Sequence, residues 1–386
     1  MRTGGARMVV AAGEPSGDLH AGCLLEALAR KMPGLRTLGM GGEAMRRAGT
    51  EVVHEIGSLS VVGLGSIPKV LPRLRRIRRD LLERVREGRP EAVVLVDYPG
   101  FNLSFARALQ RLPRRPRLIY FIPPQVWAWW GGRARTIARV FDLVLTIYPF
   151  EPPYFTREGG RAEFVGNPVA YALREAPSRG AAREALGIGP EARVIALLPG
   201  SRGKEVEHHL DPLVGAARLL RNRWPDALFV VSEAEALPKG AVSGRLGPEE
   251  GFLRPVRGRA HEVLRAADAA AVVSGTASLE TGLLGTPMVV VYGGDTLSYL
   301  LAKYFLIRVD YLSLVNLMAG WEVAPELYQR EVRPDRIAAA LTPLVEDAGA
   351  RERQREAFSS IRRSLEGPDP YERAAGRIQR LLEAGS

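Results

Sequence analysis

The sequence predicts an α/β protein of two doubly wound domains of similar size, facing a cleft, and three observations carry that reading. Short apolar runs of strand length alternate with helical patterns, the alternation starts afresh in the second half, and a Pro-, Gly- and Arg-rich stretch, 168–179, lies between the halves. Repeated strand-then-helix patterns argue for βα units and parallel sheets. A chain of 386 residues also exceeds what one core usually fills.

In the first half, residues 8–12 form an apolar run that ends in Gly13-Glu14-Pro15-Ser16-Gly17-Asp18 and leads into a helical pattern over 19–30. Further strand candidates are 92–96, ending at Asp97, then 118–122 and 143–147. In the second half, 194–198 runs into Pro199-Gly200-Ser201-Arg202-Gly203 and a helix through 210–221, and strands follow at 228–231, 269–273 and 288–292. The stretch 234–259 lacks periodicity and reads as loop with a weak strand, and the charged tail 351–384 reads as helix. In open α/β sheets ligands bind beyond the carboxyl ends of the strands, so chemistry is expected immediately after each apolar run.

Composition narrows the class. The hydrophobic fraction of 46% and charged fraction of 25% are ordinary for a globular chain. No run approaches the ~18 apolar residues of a spanning helix, and the apolar start is too short for a signal peptide. Cys23 is the single cysteine, so an internal disulfide and thiolate metal sites are excluded and a cytoplasmic location is expected. The formal net charge is +11, and lysine occurs only at 31, 69, 204, 239 and 303, so arginine carries nearly all of the positive charge. Such a surface attracts nucleic acid, anionic lipid or phosphorylated substrate.

Two turns in the second half suit a nucleotide diphosphate. In the first, Gly200 and Gly203 permit close backbone approach, the following helix aims its free amides at an anion, and Arg202 adds a forked donor. The spacing is not that of a P-loop, and the plainer reading is an ordinary strand-to-helix turn with a solvated arginine. The second turn is Ser274-Gly275-Thr276-Ala277-Ser278-Leu279-Glu280. Here Ser274 and Thr276 could cap a helix whose amides face a phosphate, and Glu280 could accept from ribose hydroxyls; the plainer reading is a capping box.

In the first half, Asp97 ends a strand, where a carboxylate could take a proton from an attacking hydroxyl. Its plainer reading is a cap for the helix from Asn102 onwards. Glu14 stands exposed at the first strand-to-helix turn, whereas Asp18 reads equally as a helix cap. Trp127, Trp129 and Trp130 suit either a wall for a sugar ring or acyl chain or an interdomain core, with core the commoner use. His208 and His209 are adjacent and project differently from a helix, so no protein-held catalytic metal is expected. Residues 67–85 place Ile67, Val70, Leu71, Leu74, Ile77, Leu81 and Val85 at helical spacing among Lys69, Arg73, Arg75, Arg76, Arg78 and Arg79. With the apolar lead-in at 61–65, this suits an anionic membrane interface across about residues 61–86, although a sheet-covering surface helix has the same pattern.

Taken in order, these motifs, with Pro124-Gln125-Val126-Trp127-Ala128-Trp129, Pro149-Phe150-Glu151 and Tyr311-Leu312-Ser313-Leu314-x-Asn316, resemble lipid-A-disaccharide synthase from about residue 9 to 330. The resemblance implies a B-type glycosyltransferase fold with two Rossmann-like domains. These are an acceptor-binding domain of 1–170 plus a returning C-terminal helix at about 355–386, and a UDP-sugar-binding domain of 171–354. It implies transfer of 2,3-diacylglucosamine from UDP-2,3-diacylglucosamine to 2,3-diacylglucosamine 1-phosphate, without a cofactor, at the cytoplasmic face of the inner membrane. Carried over by position, Glu14 and Asp97 become catalytic, while Gly200, Ser201, Arg202, Ser274, Gly275, Thr276, Glu280 and Asn316 become substrate-binding. A domain-swapped homodimer is compatible with it. The chain departs from the family pattern at Asn167, Val315 and Gly293, where histidine, proline and a basic residue are expected.

Two other classes fit parts of the sequence. One is another UDP-sugar enzyme of the same fold, such as a UDP-N-acetylglucosamine epimerase or a different lipid-acceptor transferase. The other is a basic nucleic-acid-binding protein, against which stand the dispersed basic residues and the lack of any recognised motif; no nucleic-acid partner is expected. The absence of Gly-x-Gly-x-x-Gly after the first strand argues against dinucleotide oxidoreduction.

Overall fold

A computed structural model describes residues 7–56, 67–126, 132–294 and 311–384, without the side chains of 67–70 and 248. The chain divides into two compact units, Met1–Tyr171 with Glu366–Ser386, and Ala172–Leu365.

The first unit is built on strands β1 (Arg7–Ala12), β2 (Arg36–Gly41), β3 (Glu51–Glu55), β4 (Ala92–Val96), β5 (Arg117–Phe121), β6 (Leu143–Thr146) and β7 (Ala162–Phe164). They form one sheet of order β3-β2-β1-β4-β5-β6-β7, parallel throughout. Strand β4 is buried at all five positions, as a central strand covered by helices on both faces must be. Side chains alternate between two cores. Val9, Ala11, Val93 and Leu95 face the helices Ile67–Gly88 and Pro99–Leu109, and Met8, Val10, Val94 and Val96 face the helix Pro15–Lys31. On that second face lies the helix Pro370–Glu383, which buries Ala374, Ala375, Ile378 and Leu381. The tail is therefore two helices rather than one. Ala348–Leu365 belongs to the second unit, the chain breaks at Gly367-Pro368, and Asp369 caps the next helix through the amides of Tyr371 and Glu372.

The second unit repeats the plan with β8 (Val194–Leu198), β9 (Leu228–Glu233), β10 (Leu253–Arg257), β11 (Ala269–Val273), β12 (Met288–Tyr292) and β13 (Glu326–Tyr328), in the order β10-β9-β8-β11-β12-β13. The stretch 234–259 contains β10, an edge strand with two exposed side chains, which explains its weak pattern. Helices Gly203–Arg223 and Pro334–Glu346 cover one face of this sheet. Both sheets thus carry the same topological reversal, at β1/β4 and at β8/β11.

The helix Ile67–Gly88 settles part of the amphipathic reading. Ile77, Leu81 and Val85 are buried in the first unit, so from about Leu74 onwards the apolar stripe covers the sheet. Leu71, Arg73, Arg75, Arg76 and Arg79 are exposed, and the lead-in at 61–65 lies outside the described residues. Among the described residues no helix is long and apolar enough to cross a membrane.

Asp18 is a cap, but not of its own helix. Its carboxylate accepts from the amides of Gly42 (2.6 Å), Ala44 (2.9 Å) and Met45 (3.3 Å), and so holds the start of the helix Glu43–Arg47. Replacing Asp18 with alanine would leave these donors without a partner; we expect Asp18→Ala to lower the unfolding free energy by about 2 kcal/mol, read by chemical denaturation.

Candidate active site

At the reversal of the first sheet, Ala12 pairs with Val96, so the turns leaving β1 and β4 emerge side by side. Glu14 is the exposed, extended residue ahead of the helix Pro15–Lys31, and its carbonyl accepts from the Asp18 amide at 2.9 Å. Asp97 and Tyr98 follow β4 with φ of 48° and 42°, the left-handed region that non-glycine residues enter rarely. Each such residue costs on the order of 1 kcal/mol and persists only where its surroundings over-determine it. Those surroundings are visible. The Asp97 carbonyl accepts from Asn102 Nδ2 at 2.6 Å and from the Tyr120 hydroxyl at 3.0 Å, and its amide donates to the Phe121 carbonyl at 3.2 Å. A Cβ on Gly13 would sit 2.0 Å from the Tyr98 ring, so only glycine admits that ring.

The result is a carboxylate whose backbone is fixed while its side chain serves no helix. The helix Pro99–Leu109 starts two residues beyond Asp97, is capped by Tyr98 and has no side-chain capping bond, so the plainer capping reading of Asp97 does not apply. Burial, and then the Glu14 charge, push the Asp97 carboxyl above the ordinary range, with the Tyr98 amide partly opposing. A carboxylate shifted in this direction is a better proton acceptor near neutrality. Tyr98 and Tyr120 are supporting residues that sequence reasoning passed over, and Asn102, which it named only as the start of a helix, is a third. The left-handed pair that makes them necessary is invisible in a motif containing no glycine before Gly100.

In the second sheet Leu198 pairs with Val272, which brings the turns after β8 and β11 together. Between them lies a cavity of about 310 Å³ lined by Gly200, Ser201, Arg202, Ser274, Gly275, Thr276 and Glu280. Gly200 and Gly275 have φ of 115° and 148°, conformations a side chain would resist. The helix Thr276–Leu283 is preceded by Gly275 with no side-chain cap, so Ser274 and Thr276 do not cap it, and its first residues Thr276 and Ala277 line the cavity. Glu280 is half-buried and its Oε2 lies 3.2 Å from His261 Nε2. That carboxylate pushes the His261 imidazole up in pKa.

The turn after β8 differs from expectation in one respect. The amides of Ser201 and Arg202 both donate to Glu205 Oε2, at 2.8 and 3.2 Å, and Arg202 Nη1 donates to Glu205 Oε1 at 2.8 Å. The chain's own carboxylate therefore occupies donors assigned above to a phosphate. The Arg202 side chain is 80% exposed, and an exposed pair of this kind contributes at most about 1 kcal/mol, so the guanidinium exchanges partners readily. His209, by contrast, is fixed. Its Nδ1 faces the Glu205 carbonyl at 2.7 Å and its Nε2 accepts from the Gly293 amide at 2.7 Å, so Nδ1 carries the proton. Burial pushes its pKa down. This ring joins the first turn of the helix Gly203–Arg223 to the residue after β12.

Asn316 does not line the cavity. It is fully buried, its Nδ2 donates to the Ala324 carbonyl and Glu326 Oε1, and its Oδ1 accepts from the amides of Val323 and Ala324. With every polar site on the side chain filled, it pins a loop instead of reaching a ligand. Its helix, Leu314–Ala319, packs on the helix Thr276–Leu283 that borders the cavity. Asn167 is likewise structural, with Nδ2 on the Ile147 carbonyl and Oδ1 accepting from the Ala170 amide. Trp127, Trp129 and Trp130 lie outside the described residues, while neighbouring Val126 is buried in the first core.

Comparison with known proteins gives a consistent result. A family model described as lipid-A-disaccharide synthetase matches residues 8–374. The chain is 41% identical over 376 residues to the lipid-A-disaccharide synthase of Anaeromyxobacter dehalogenans (strain 2CP-C), covering 96% of each chain. It is 38% identical over 381 residues to that of Myxococcus xanthus, covering 98% of each. Among solved structures, the calicheamicin glycosyltransferase CalG4 superposes with a TM-score of 0.60 at 17% identity over all of both chains. The UDP-GlcNAc 2-epimerase from Neisseria meningitidis bound to UDP-GlcNAc gives 0.60 at 11% identity, over 98% of this chain and 100% of that one. These two share the fold, which is the B-type glycosyltransferase arrangement of two Rossmann-like domains.

Because Glu14 raises the Asp97 pKa through its charge, Glu14→Gln should lower it. The acid limb of the pH profile of kcat/KM is expected to move to lower pH in that variant.

Proposed function

This chain belongs to the lipid-A-disaccharide synthase family, and from that premise we propose that it transfers 2,3-diacylglucosamine from its UDP derivative to the 6-hydroxyl of 2,3-diacylglucosamine 1-phosphate. The products are the β-1′,6-linked disaccharide 1-phosphate and UDP. The observation that carries the reading is the pair of switch-point sites, a fixed carboxylate with a raised pKa in one unit and an amide-lined cavity in the other.

The reaction is a single displacement. Asp97 takes the proton from the acceptor hydroxyl as its oxygen bonds to the anomeric carbon, the bond from that carbon to UDP breaks, and the configuration inverts. Charge growing on the departing diphosphate is met by the amides at the start of the helix Thr276–Leu283 and by Arg202, released from Glu205. Glu280 takes a ribose hydroxyl, with His261 holding its second bond. Glu14 orients the acceptor, and Asn316 acts at one remove by fixing the loop that supports the donor site. The exposed cations of the helix Ile67–Gly88, with Leu71, form a peripheral contact with anionic lipid at the cytoplasmic face of the inner membrane.

Incubation with both acylated substrates, with product read by mass and UDP release by a coupled assay, tests the activity. A UDP-sugar epimerase of the same fold would turn over unacylated UDP-N-acetylglucosamine instead. Asp97→Asn is expected to lower kcat by ~10²-fold or more, the usual span for loss of a general base; near-normal turnover would remove Asp97 from that role. The combined Arg75→Glu, Arg76→Glu and Arg79→Glu variant is expected to lose flotation with phosphatidylglycerol vesicles while keeping turnover on detergent-dispersed substrate.

A further inference from the structure

A larger cavity, of about 660 Å³, opens in the second unit at the opposite end of the sheet from the turns 199–203 and 274–277. Its walls come from the amino-terminal ends of the strands. Arg193 immediately precedes β8, Asp268 precedes β11, and Thr286 lies just before β12. Anything bound there is separated from the donor site by the length of the strands, so the cavity is not part of that site.

Its charge is unbalanced. Six arginines line it, at 179, 183, 193, 265, 351 and 355, against the two carboxylates Glu191 and Asp268. Asp268 is already shared: Oδ1 takes Arg179 Nη2 at 2.6 Å, while Oδ2 takes Arg183 Nη2 at 3.3 Å and the Val194 amide at 2.8 Å. Of the other guanidiniums, Arg355 reaches an exposed carboxylate, Glu352, only at 4.0 Å, and the remaining three are held by neutral groups. Arg351 donates to the Val345 carbonyl, Arg265 donates to the Leu284 carbonyl, and Arg193 stacks over the Trp224 ring at 5.5 Å. Carbonyls and a ring fix the geometry of these forks without cancelling their charge. Arg265 Nε is buried and has no hydrogen-bond partner. Burial lowers the pKa of both Arg183 and Arg265, with Arg179 and Arg362 respectively lowering each further and Asp268 and Glu191 partly opposing at Arg183.

We infer that this cavity is a second anion site, built for a ligand carrying at least two phosphate charges. Fixed guanidinium forks match phosphate oxygens pairwise, and a volume of this size admits a small organic phosphate as well as a bare diphosphate. The ligand is either a soluble polyphosphorylated metabolite or the phosphorylated head group of a lipid.

The full-length protein titrated with inorganic pyrophosphate by calorimetry tests this. The expected result is binding that survives Arg202→Ala and weakens at least ~10-fold in Arg193→Glu/Arg355→Glu, as loss of charge-assisted bonds to phosphate requires. If the charge reversal lowers the thermal midpoint, Arg193→Gln/Arg355→Gln replaces it in the same measurement. Flotation with vesicles containing cardiolipin, whose head group carries two phosphates, separates the sources. Reduced flotation in the cavity variant, with residues 67–88 intact, assigns the site to a head group; unchanged flotation with weakened pyrophosphate binding assigns it to a soluble ligand. Equal pyrophosphate affinity in wild type and cavity variants, or no binding by wild type together with unchanged flotation, overturns the proposal.

Discussion

The reversal of strand order is the constraint on which the rest of the structure depends. In each sheet, successive connections run outward in opposite directions from one central pair, β1 with β4 and β8 with β11. The turns leaving those two strands have no crossover helix laid between them, which leaves an open crevice at the carboxyl ends. Every residue proposed here to touch substrate lies beside one of these crevices. Glu14 and Asp97 flank the first, and Arg202, Thr276 and Glu280 flank the second.

The two crevices are finished differently. The first is rigid: a strained pair of residues is held by a buried asparagine, a tyrosine hydroxyl and an aromatic ring seated on a glycine. Rigidity suits a proton acceptor, which must meet one hydroxyl at one distance. The second is exchangeable, because Glu205 satisfies two amides and a guanidinium that a diphosphate would also satisfy. A helix start in such a place is never without an anion, and ligand arrival becomes a swap of partners, not a creation of new bonds from bare groups. Behind it, His209 keeps the turn in register with β12 through a single tautomer.

Much of this was legible in the sequence, and the remainder was hidden for identifiable reasons. The central strands are uninterrupted apolar runs, so β4, β8, β11 and β12 stand at the predicted positions. The strands β2 and β3 escaped: one is broken up by Gly39 and Gly41 and has no apolar run, and the other, Glu51–Glu55, is a half-exposed edge strand with charged ends. Motif reading also pointed to both crevices, because in open α/β sheets ligands bind beyond the carboxyl ends of the strands. It could not tell which side chains look outward. Asn316 stands in a conspicuous motif, yet every one of its polar atoms is turned inward. Glu205, one helical turn past the glycines, gives no sign in sequence that its carboxylate folds back onto the amides ahead of it.

The placement of the helix Pro370–Glu383 has a consequence for how the molecule is made. It completes a core begun by the strands β1 and β4, yet the whole of the second unit, 172–365, lies between them in the chain. On the ribosome the second unit is contiguous and can close as soon as it emerges, whereas the first must wait, with the outer side of the helix Pro15–Lys31 and part of β5 uncovered, until some 280 further residues have been added after β4. The earliest-synthesised half of the protein is thus the last to become fully folded, and over that interval its apolar face is the natural place for a chaperone to hold.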